Sequence, residues 1–164
     1  MTFQGLTWCH VPANTDPLHP SSALRAEGRW NEPYVFGCLY LSLDAAGAMA
    51  EFRKALRAGE VMGEHHLATV QINHLQPVAD LTQPFTDFPA VDRRMLTSDD
   101  PVARKYCHEL ATVARDAGYA GLLVPSAAMP GAVNLVVYPD AVAPARVDME
   151  LGPHRSPLRQ RVLA

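Results

Sequence analysis

The sequence predicts a mixed α+β fold with no doubly wound parallel core. Three observations carry that prediction. Apolar runs of strand length are short, and prolines stop several of them, at Pro77, Pro125 and Pro139. Only two stretches show clear helical spacing. The 164 residues include 14 prolines, which indicates many loops and short elements. A chain of this length suits one domain. We therefore expect a single domain over 1–164, with 144–164 as a polar, late-basic C-terminal arm carrying Arg155, Arg159 and Arg161.

Leu6 to Val11 is a short apolar run and the predicted first strand. Pro12 to Ser22 is rich in Pro, Asn, Asp and Ser, which marks a loop. Tyr34-Val35-Phe36 leads through Gly37 into Cys38-Leu39-Tyr40-Leu41, a second strand. Ser42 or Asp44 caps a helix from Ala45 to Ala58 that Gly59 ends. Its apolar stripe is Ala48, Phe52 and Ala55 with Met49 and Leu56, and Glu51 lies at the edge of the stripe. Leu67 to Leu75 alternates, with Ala68, Val70 and Ile72 on one side, as a half-buried strand does. Val78 to Leu81 is a short edge piece. Thr82 to Asp100 is an acidic connection anchored by Phe85, Phe88 and Met95. Asp99 or Asp100 then caps a second helix, Pro101 takes its first turn, and Gly118 closes it. Val102, Tyr106, Leu110 and Val113 form its predicted stripe. Cys107 and His108 read as ordinary packing or surface positions. Tyr119 to Val124 and Asn134 to Tyr138 are the last predicted strands, separated by the tight loop from Ser126 to Gly131.

Charge and cysteine usage exclude several functions. The net charge is -3 and the pI about 6.1, which argues against a nucleic-acid binder with a basic face. No apolar run approaches the length of a membrane span. The N-terminus lacks the pattern of a signal peptide. Cys9, Cys38 and Cys107 are too few and too far apart for a disulfide framework or a zinc site. The expected compartment is the cytoplasm. His65, His66 and His74 have no acidic or cysteine ligands at useful spacing, so no metal is expected.

Gly28-Arg29-Trp30-Asn31 is the stretch with the most chemistry. An Arg beside a Trp suits an anionic, aromatic ligand, since the guanidinium fork matches phosphate and the indole offers a stacking face. The same residues also suit a loop whose Trp plugs the core and whose Arg caps a carbonyl. Glu51 can point along its helix into a cleft or out into water. Ser126 and Asn134, at facing strand ends beside a Gly-containing loop, can line a pocket or simply begin and end a turn.

Taken together these segments resemble the RES domain family, whose name records its Arg, Glu and Ser. Gly28-Arg29-Trp30-Asn31 is similar to the family's Gly-Arg-Trp-Asn signature, Leu39-Tyr40-Leu41-Ser42 to its Tyr strand, and Ala48-Met49-Ala50-Glu51 to the start of its Glu helix. Gly118-Tyr119, Val124-Pro125-Ser126-Ala127, Gly131 and Asn134-Leu135-Val136 are similar to its Ser motif and closing strand. The resemblance spans nearly the whole chain. It implies an ADP-ribosyltransferase-like fold: two small β-sheets around a split NAD cleft, with flanking helices. It implies a bacterial toxin of a toxin–antitoxin pair that degrades NAD⁺ at the nicotinamide–ribose bond, by hydrolysis or phosphorolysis. NAD⁺ is then a substrate, with no resident cofactor. The implied partner is a small helical, Xre-like antitoxin that covers the cleft. No direct nucleic-acid or membrane binding is implied, and homo-oligomer or toxin–antitoxin hetero-oligomer both remain open.

In this scheme Glu51, Ser126 and Tyr40 are catalytic, and Arg29, Trp30, Asn31, Asn134 and His10 bind the dinucleotide. Glu51 would oppose the positive charge that develops on the ribose. One position departs from the family. Cys9 stands where the family has an Arg on the first strand, so His10 or Arg25 takes its place, or turnover is weak. Three functions therefore stay open: an NAD⁺-degrading toxin, a transferase of ADP-ribose to a protein, and a catalytically impaired binding domain.

Overall fold

The computed structural model describes residues 1–19, 27–83 and 91–158. Among them the elements follow as β1 (Phe3–Pro12), β2 (Leu39–Ser42), α1 (Ala45–Arg57), β3 (His65–Leu75), β4 (Val78–Asp80), α2 (Pro101–Asp116), β5 (Gly121–Pro125), β6 (Val133–Val137) and β7 (Val147–Leu158). The strand order is β4-β5-β6-β2-β1-β3-β7. Only β4 and β5 run parallel. The fold is thus mixed α+β, as the short strands and two helices predict. Phe85, Phe88, Arg25, Arg159 and Arg161 lie outside the described residues.

The two small sheets implied by the family resemblance are two wings of one hydrogen-bonded sheet. One wing holds β4, β5, β6 and β2, the other β1, β3 and β7, and a single Cα pair, Trp8 with Ser42, joins them. Past that pair β1 stays on β3, with Cys9 opposite Ala68 and His10 opposite Leu67. β2 stays on β6, with Leu41 opposite Leu135 and Tyr40 opposite Val136. Each strand keeps its outer ladder and loses its inner one, so a gap opens between them.

The period of two along the strands divides the core. Leu122, Val124 and Val136 enter one cluster with Trp30, Phe36, Leu96, Cys107, Ala111 and Tyr138. Leu123, Leu135 and Val137 enter another with Leu39, Leu41 and the β3 residues Ala68, Val70 and Ile72. The second cluster takes side chains from both wings, so the bent sheet closes on itself around it. The first is roofed by α2.

Both helices begin as the capping residues dictate. The Asp44 carboxylate accepts from the Gly47 amide at 2.6 Å, and the Asp100 carboxylate from the Val102 amide at 2.8 Å. A short polar side chain there satisfies an amide that has no partner within the helix. The predicted stripe of α2 is rotated, however. Val102 is 66% exposed and Val113 46%, while Ala103, Cys107, His108, Ala111 and Ala114 are buried. Small residues let the helix axis lie close to the sheet, and the larger Tyr106 and Leu110 fill the margin. Size complementarity outweighs hydrophobicity at this interface.

Much of the expected C-terminal arm is strand. Val147–Leu158 is the longest described strand and pairs along β3 from Leu75↔Val147 to His65↔Leu158. It is an edge strand, mostly exposed, with Gly152, Pro153 and Pro157. Such composition is common at edges, where it discourages pairing with another chain.

Tyr138 is fully buried and donates from its hydroxyl to the Trp30 carbonyl at 3.1 Å. This bond ties the signature turn to the end of β6. Tyr138→Phe should lower unfolding stability by about 1–2 kcal/mol, because the carbonyl loses a partner in a dry setting. Urea titration checks it, and an unchanged midpoint would show the bond to be dispensable.

Candidate active site

The cavity occupies the gap between β1 and β2. It has a volume of about 340 Å³ and is bounded by Cys9, His10 and Val11 of β1, Leu39, Tyr40 and Leu41 of β2, and Ala48, Glu51, Lys54 and Ala55 of α1. Gly28, Arg29 and Trp30 close one side, and Pro125, Ala127 and Asn134 another. Elements far apart in sequence meet here because α1 packs across β1 and β2.

Glu51 sits at the centre of a polar network. Its Oε1 accepts from Ser126 Oγ at 2.8 Å and from Asn134 Nδ2 at 2.8 Å. Asn134 Oδ1 in turn accepts from Ser42 Oγ at 3.0 Å. Ser126 Oγ also accepts from the amides of Ala128 and Met129, both at 3.1 Å. The carboxylate is therefore pinned through one oxygen by β5, β6 and, at one remove, β2. Oε2 takes no hydrogen bond from the described residues. Ser126 is buried behind Glu51 and does not border the cavity. Its geometry is that of a residue that positions the carboxylate and the 126–131 loop, whereas Glu51 itself reaches the ligand space.

The signature turn is built around close approach. Gly28 and Asn31 pair across it through both backbone bonds, at 3.2 and 3.4 Å. A Cβ on Gly28 would lie 2.2 Å from the Tyr40 hydroxyl and 2.5 Å from Asn31 Oδ1. The hydroxyl donates to that Oδ1 at 2.5 Å and accepts from the Trp30 amide at 2.9 Å. Its enclosure raises the Tyr40 pKa well above the ordinary value. The residue as a whole is nevertheless 36% exposed, which leaves ring surface bare. Tyr40 is suited to stacking, with its proton committed to Asn31.

Asn31 is fully buried and does not border the cavity, so its work is to hold Tyr40. Trp30 is 2% exposed and packs in the α2 core, so its indole is chiefly a plug behind the wall. The bland alternative for this Trp accounts for most of its side chain. His108 was expected to be an ordinary helix position. Its Nε2 instead donates to the Gly28 carbonyl at 2.8 Å, since a carbonyl oxygen can only accept, and this ties α2 to the turn. No spacing in the sequence signals that contact.

Arg29 borders the cavity with a side chain only 10% exposed. Its Nη1 donates to the Ser98 carbonyl at 2.5 Å and its Nη2 to Asp99 Oδ1 at 2.6 Å. Lys54 Nζ donates to the same Asp99 oxygen at 3.0 Å. Neither Lys54 nor Asp99 stands out in the sequence. Lys54 follows Glu51 by three positions and therefore shares its helix face.

On β1, Cys9 and His10 both reach the cavity wall. Burial pushes the Cys9 thiol up to about 11 despite the nearby Arg155, so it stays protonated at neutral pH. His10 faces His65, with the two Nδ1 atoms 3.2 Å apart, and lies edge-on to Phe52. Burial, and then His65, push the His10 pKa down to about 4. A neutral ring cannot supply the charge of an Arg. His10 can contribute a ring face or a single hydrogen bond.

The chain is similar to known proteins. A family model described as the RES domain matches residues 5–157. The NAD(+) phosphorylase MbcT of Mycobacterium tuberculosis (strain ATCC 25618 / H37Rv) is 32% identical over 136 residues, which cover 78% of this chain and 69% of that protein. The probable NAD(+) phosphorylase Rv3189 of the same strain is 29% identical over 161 residues, covering 97% and 73%. A crystal structure of the M. tuberculosis MbcT–MbcA toxin–antitoxin complex superposes with a TM-score of 0.73 at 24% identity, covering 95% of this chain and 85% of that one. That last likeness is one of fold.

Two expectations follow from the site. Gly28→Ala must push the Tyr40 hydroxyl off Asn31 and Trp30, so ligand affinity should fall at least tenfold while far-UV circular dichroism stays native. Unaltered affinity would show that Tyr40 is not held by this turn. The second concerns pH. Because the folded-state pKa of His10 lies near 4, below the ordinary 6.5, the unfolded chain binds this proton more readily between those values. The His10 contribution to stability is therefore complete above about pH 6.5 and is lost as pH falls toward 4, by roughly 1–3 kcal/mol. Urea midpoints between pH 7 and pH 4.5 should fall less in His10→Phe than in the parent.

Proposed function

This chain belongs to the RES domain family, and we propose that it is an NAD⁺ phosphorylase acting as the toxin of a toxin–antitoxin pair. The observation that carries the proposal is the carboxylate of Glu51, fixed by Ser126 and Asn134 at the wall of a cavity bordered by the Tyr40 ring and by the cations Arg29, Lys54 and Arg104. Cleavage breaks the bond between nicotinamide nitrogen and ribose C1′. The bonding pair leaves with the nicotinamide, which departs neutral, and positive charge develops on the ribose. A carboxylate held in advance opposes that charge at no cost of reorganisation during the reaction. An oxygen of inorganic phosphate then bonds to C1′, giving ADP-ribose 1″-phosphate. Water in its place gives ADP-ribose and releases a proton.

Tyr40 offers a ring face to the nicotinamide or the adenine. Arg29 and Lys54 suit the diphosphate, since charged hydrogen bonds to phosphate oxygens are strong and directional. NAD⁺ is consumed as substrate in this reading, with no resident cofactor. Phosphorolysis is preferred over hydrolysis and over protein modification because both named relatives carry that activity in their names. The fold match to a toxin in a toxin–antitoxin complex supports a protein partner; that this partner is helical and covers the cavity is what the family resemblance implies.

Glu51→Gln tests the proposal cleanly. The amide retains a carbonyl oxygen for Ser126 and Asn134 while removing the charge. Incubation of the parent with NAD⁺ and phosphate should yield nicotinamide and ADP-ribose 1″-phosphate. The variant should be slower on the order of a hundredfold or more. A parent protein that leaves NAD⁺ intact with and without phosphate, and labels no protein when given radiolabelled NAD⁺, would leave only the binding-domain alternative.

A further inference from the structure

Asp99 occupies an unusual position beside the cavity. One of its carboxylate oxygens lies 2.6 Å from Arg29 Nη2 and 3.0 Å from Lys54 Nζ. Arg104 of α2, which also borders the cavity, adds to the positive field around it. The Lys54 hydrogen bond, reinforced by the Lys54, Arg29 and Arg104 charges, holds the Asp99 carboxyl below its usual range, so it is ionised at neutral pH. An anionic oxygen is thus already seated where two cations converge. Arg29 is nearly buried, whereas Asp99 is 57% exposed. The cations are fixed and the anion is at the rim.

We infer that Asp99 is an internal occupant of the cavity's anion site, which a phosphate group must displace to bind. The inference rests on the NAD⁺ reading for the identity of that phosphate, but the electrostatic argument does not. Arg29 and Lys54 are kept from repelling each other in the empty cavity by a carboxylate that is free to swing into solvent. An incoming dianionic group replaces one charge with two and can offer an oxygen to each cation. Asp99 therefore lowers the affinity for phosphate ligands and raises the threshold concentration at which the site fills. The neighbouring Ser98 carbonyl stays on Arg29 Nη1, and Asp100 keeps the cap of α2, so the exchange needs only a side-chain rotation.

The shared ligand chemistry is a phosphate group, and two sources can supply it: the diphosphate of the dinucleotide or inorganic phosphate. Asp99→Asn removes the competing charge and keeps the shape. Calorimetric titration of the purified chain with ADP-ribose and, separately, with inorganic phosphate reads the effect without turnover. We expect binding of at least one probe to tighten by about three- to tenfold, as for loss of an ion pair at a partly exposed site, and the gain to shrink at 0.5 M salt. A gain for ADP-ribose alone assigns the site to the dinucleotide, and a gain for phosphate alone assigns it to the nucleophile. Equal or weaker binding of both probes overturns the inference, because a purely structural staple would position the cations better when present. Asp99→Ala repeats the test without the amide's own hydrogen bonds. A tighter variant in a chain that does not consume NAD⁺ would leave this inference standing while the phosphorylase reading failed.

Discussion

The architecture depends on one place where a β-ladder stops. β1 and β2 share a single pair, Trp8 with Ser42, and then diverge. An antiparallel pair would ordinarily continue through Cys9 and His10 opposite Leu41 and Tyr40. Here each of those residues keeps its outer neighbour, in β3 or β6, and turns its inner edge to the cavity. The bent sheet can do this because its two wings are held independently by the core they enclose. A narrow cleft walled by strands thus arises without a separate domain, and backbone donors and acceptors line it beside the side chains. The two wings also explain why the sheet resembles two sheets when judged from its cleft.

Rigidity is then added around the cleft by polar contacts that each join distant segments. Ser126, just past β5, and Asn134 of β6 lock Glu51, and Ser42 of β2 holds Asn134. Asn31 locks the Tyr40 hydroxyl, and Gly28 is the residue that lets the chain come that close. His108 and Tyr138 fasten the same turn to α2 and to the end of β6. These contacts lie largely out of water, where a hydrogen bond to a fixed partner is stronger and an unpaired group is costlier. The cleft walls are consequently set before any ligand arrives, which is the condition for a carboxylate to act by electrostatics.

Much of this was legible in the sequence, but unevenly. The strand and helix positions followed from alternation, caps and prolines, and the boundaries of α1 and α2 follow Asp44 and Asp100 closely. A hydrophobic stripe picks the wrong face of α2 because its buried residues are alanines, a cysteine and a histidine, which the stripe ignores in favour of Val102 and Val113. The β7 strand was obscured by its polarity, since an edge strand with prolines resembles a tail. At the site, the convergence of Arg29, Tyr40 and Glu51 on one cavity came from family resemblance, and no spacing could have produced it. What each residue does there was less visible. Trp30 and Asn31 read as ligand contacts, yet the first is mainly core and the second holds Tyr40. Lys54 and Asp99 gave no signal, because an exposed Lys or Asp on a helix or loop is ordinary until its partner is known.

The absence of a charged side chain at Cys9 and His10 on β1 has a physical consequence. Cys9 carries no charge, and His10, squeezed between His65 and Phe52, carries none at neutral pH. Cys9 and His10 therefore bring no charge to the β1 wall of the cavity. The cavity's cations Arg29, Lys54 and Arg104 gather around one carboxylate, Asp99. Two like charges held near each other without Asp99 would raise the free energy of the empty cavity, and a phosphate group would relieve that strain as it bound. With Asp99 present the relief is already supplied from within the chain. The field that remains for a ligand is smaller, and it stands beside the negative charge of Glu51, three positions along the same helix from Lys54. A dinucleotide entering this cavity meets cations suited to its phosphates on one side and an anion suited to a ribosyl cation close by. In the proposed reaction it is that asymmetry, and not the number of charged residues, that would turn the scissile bond toward Glu51.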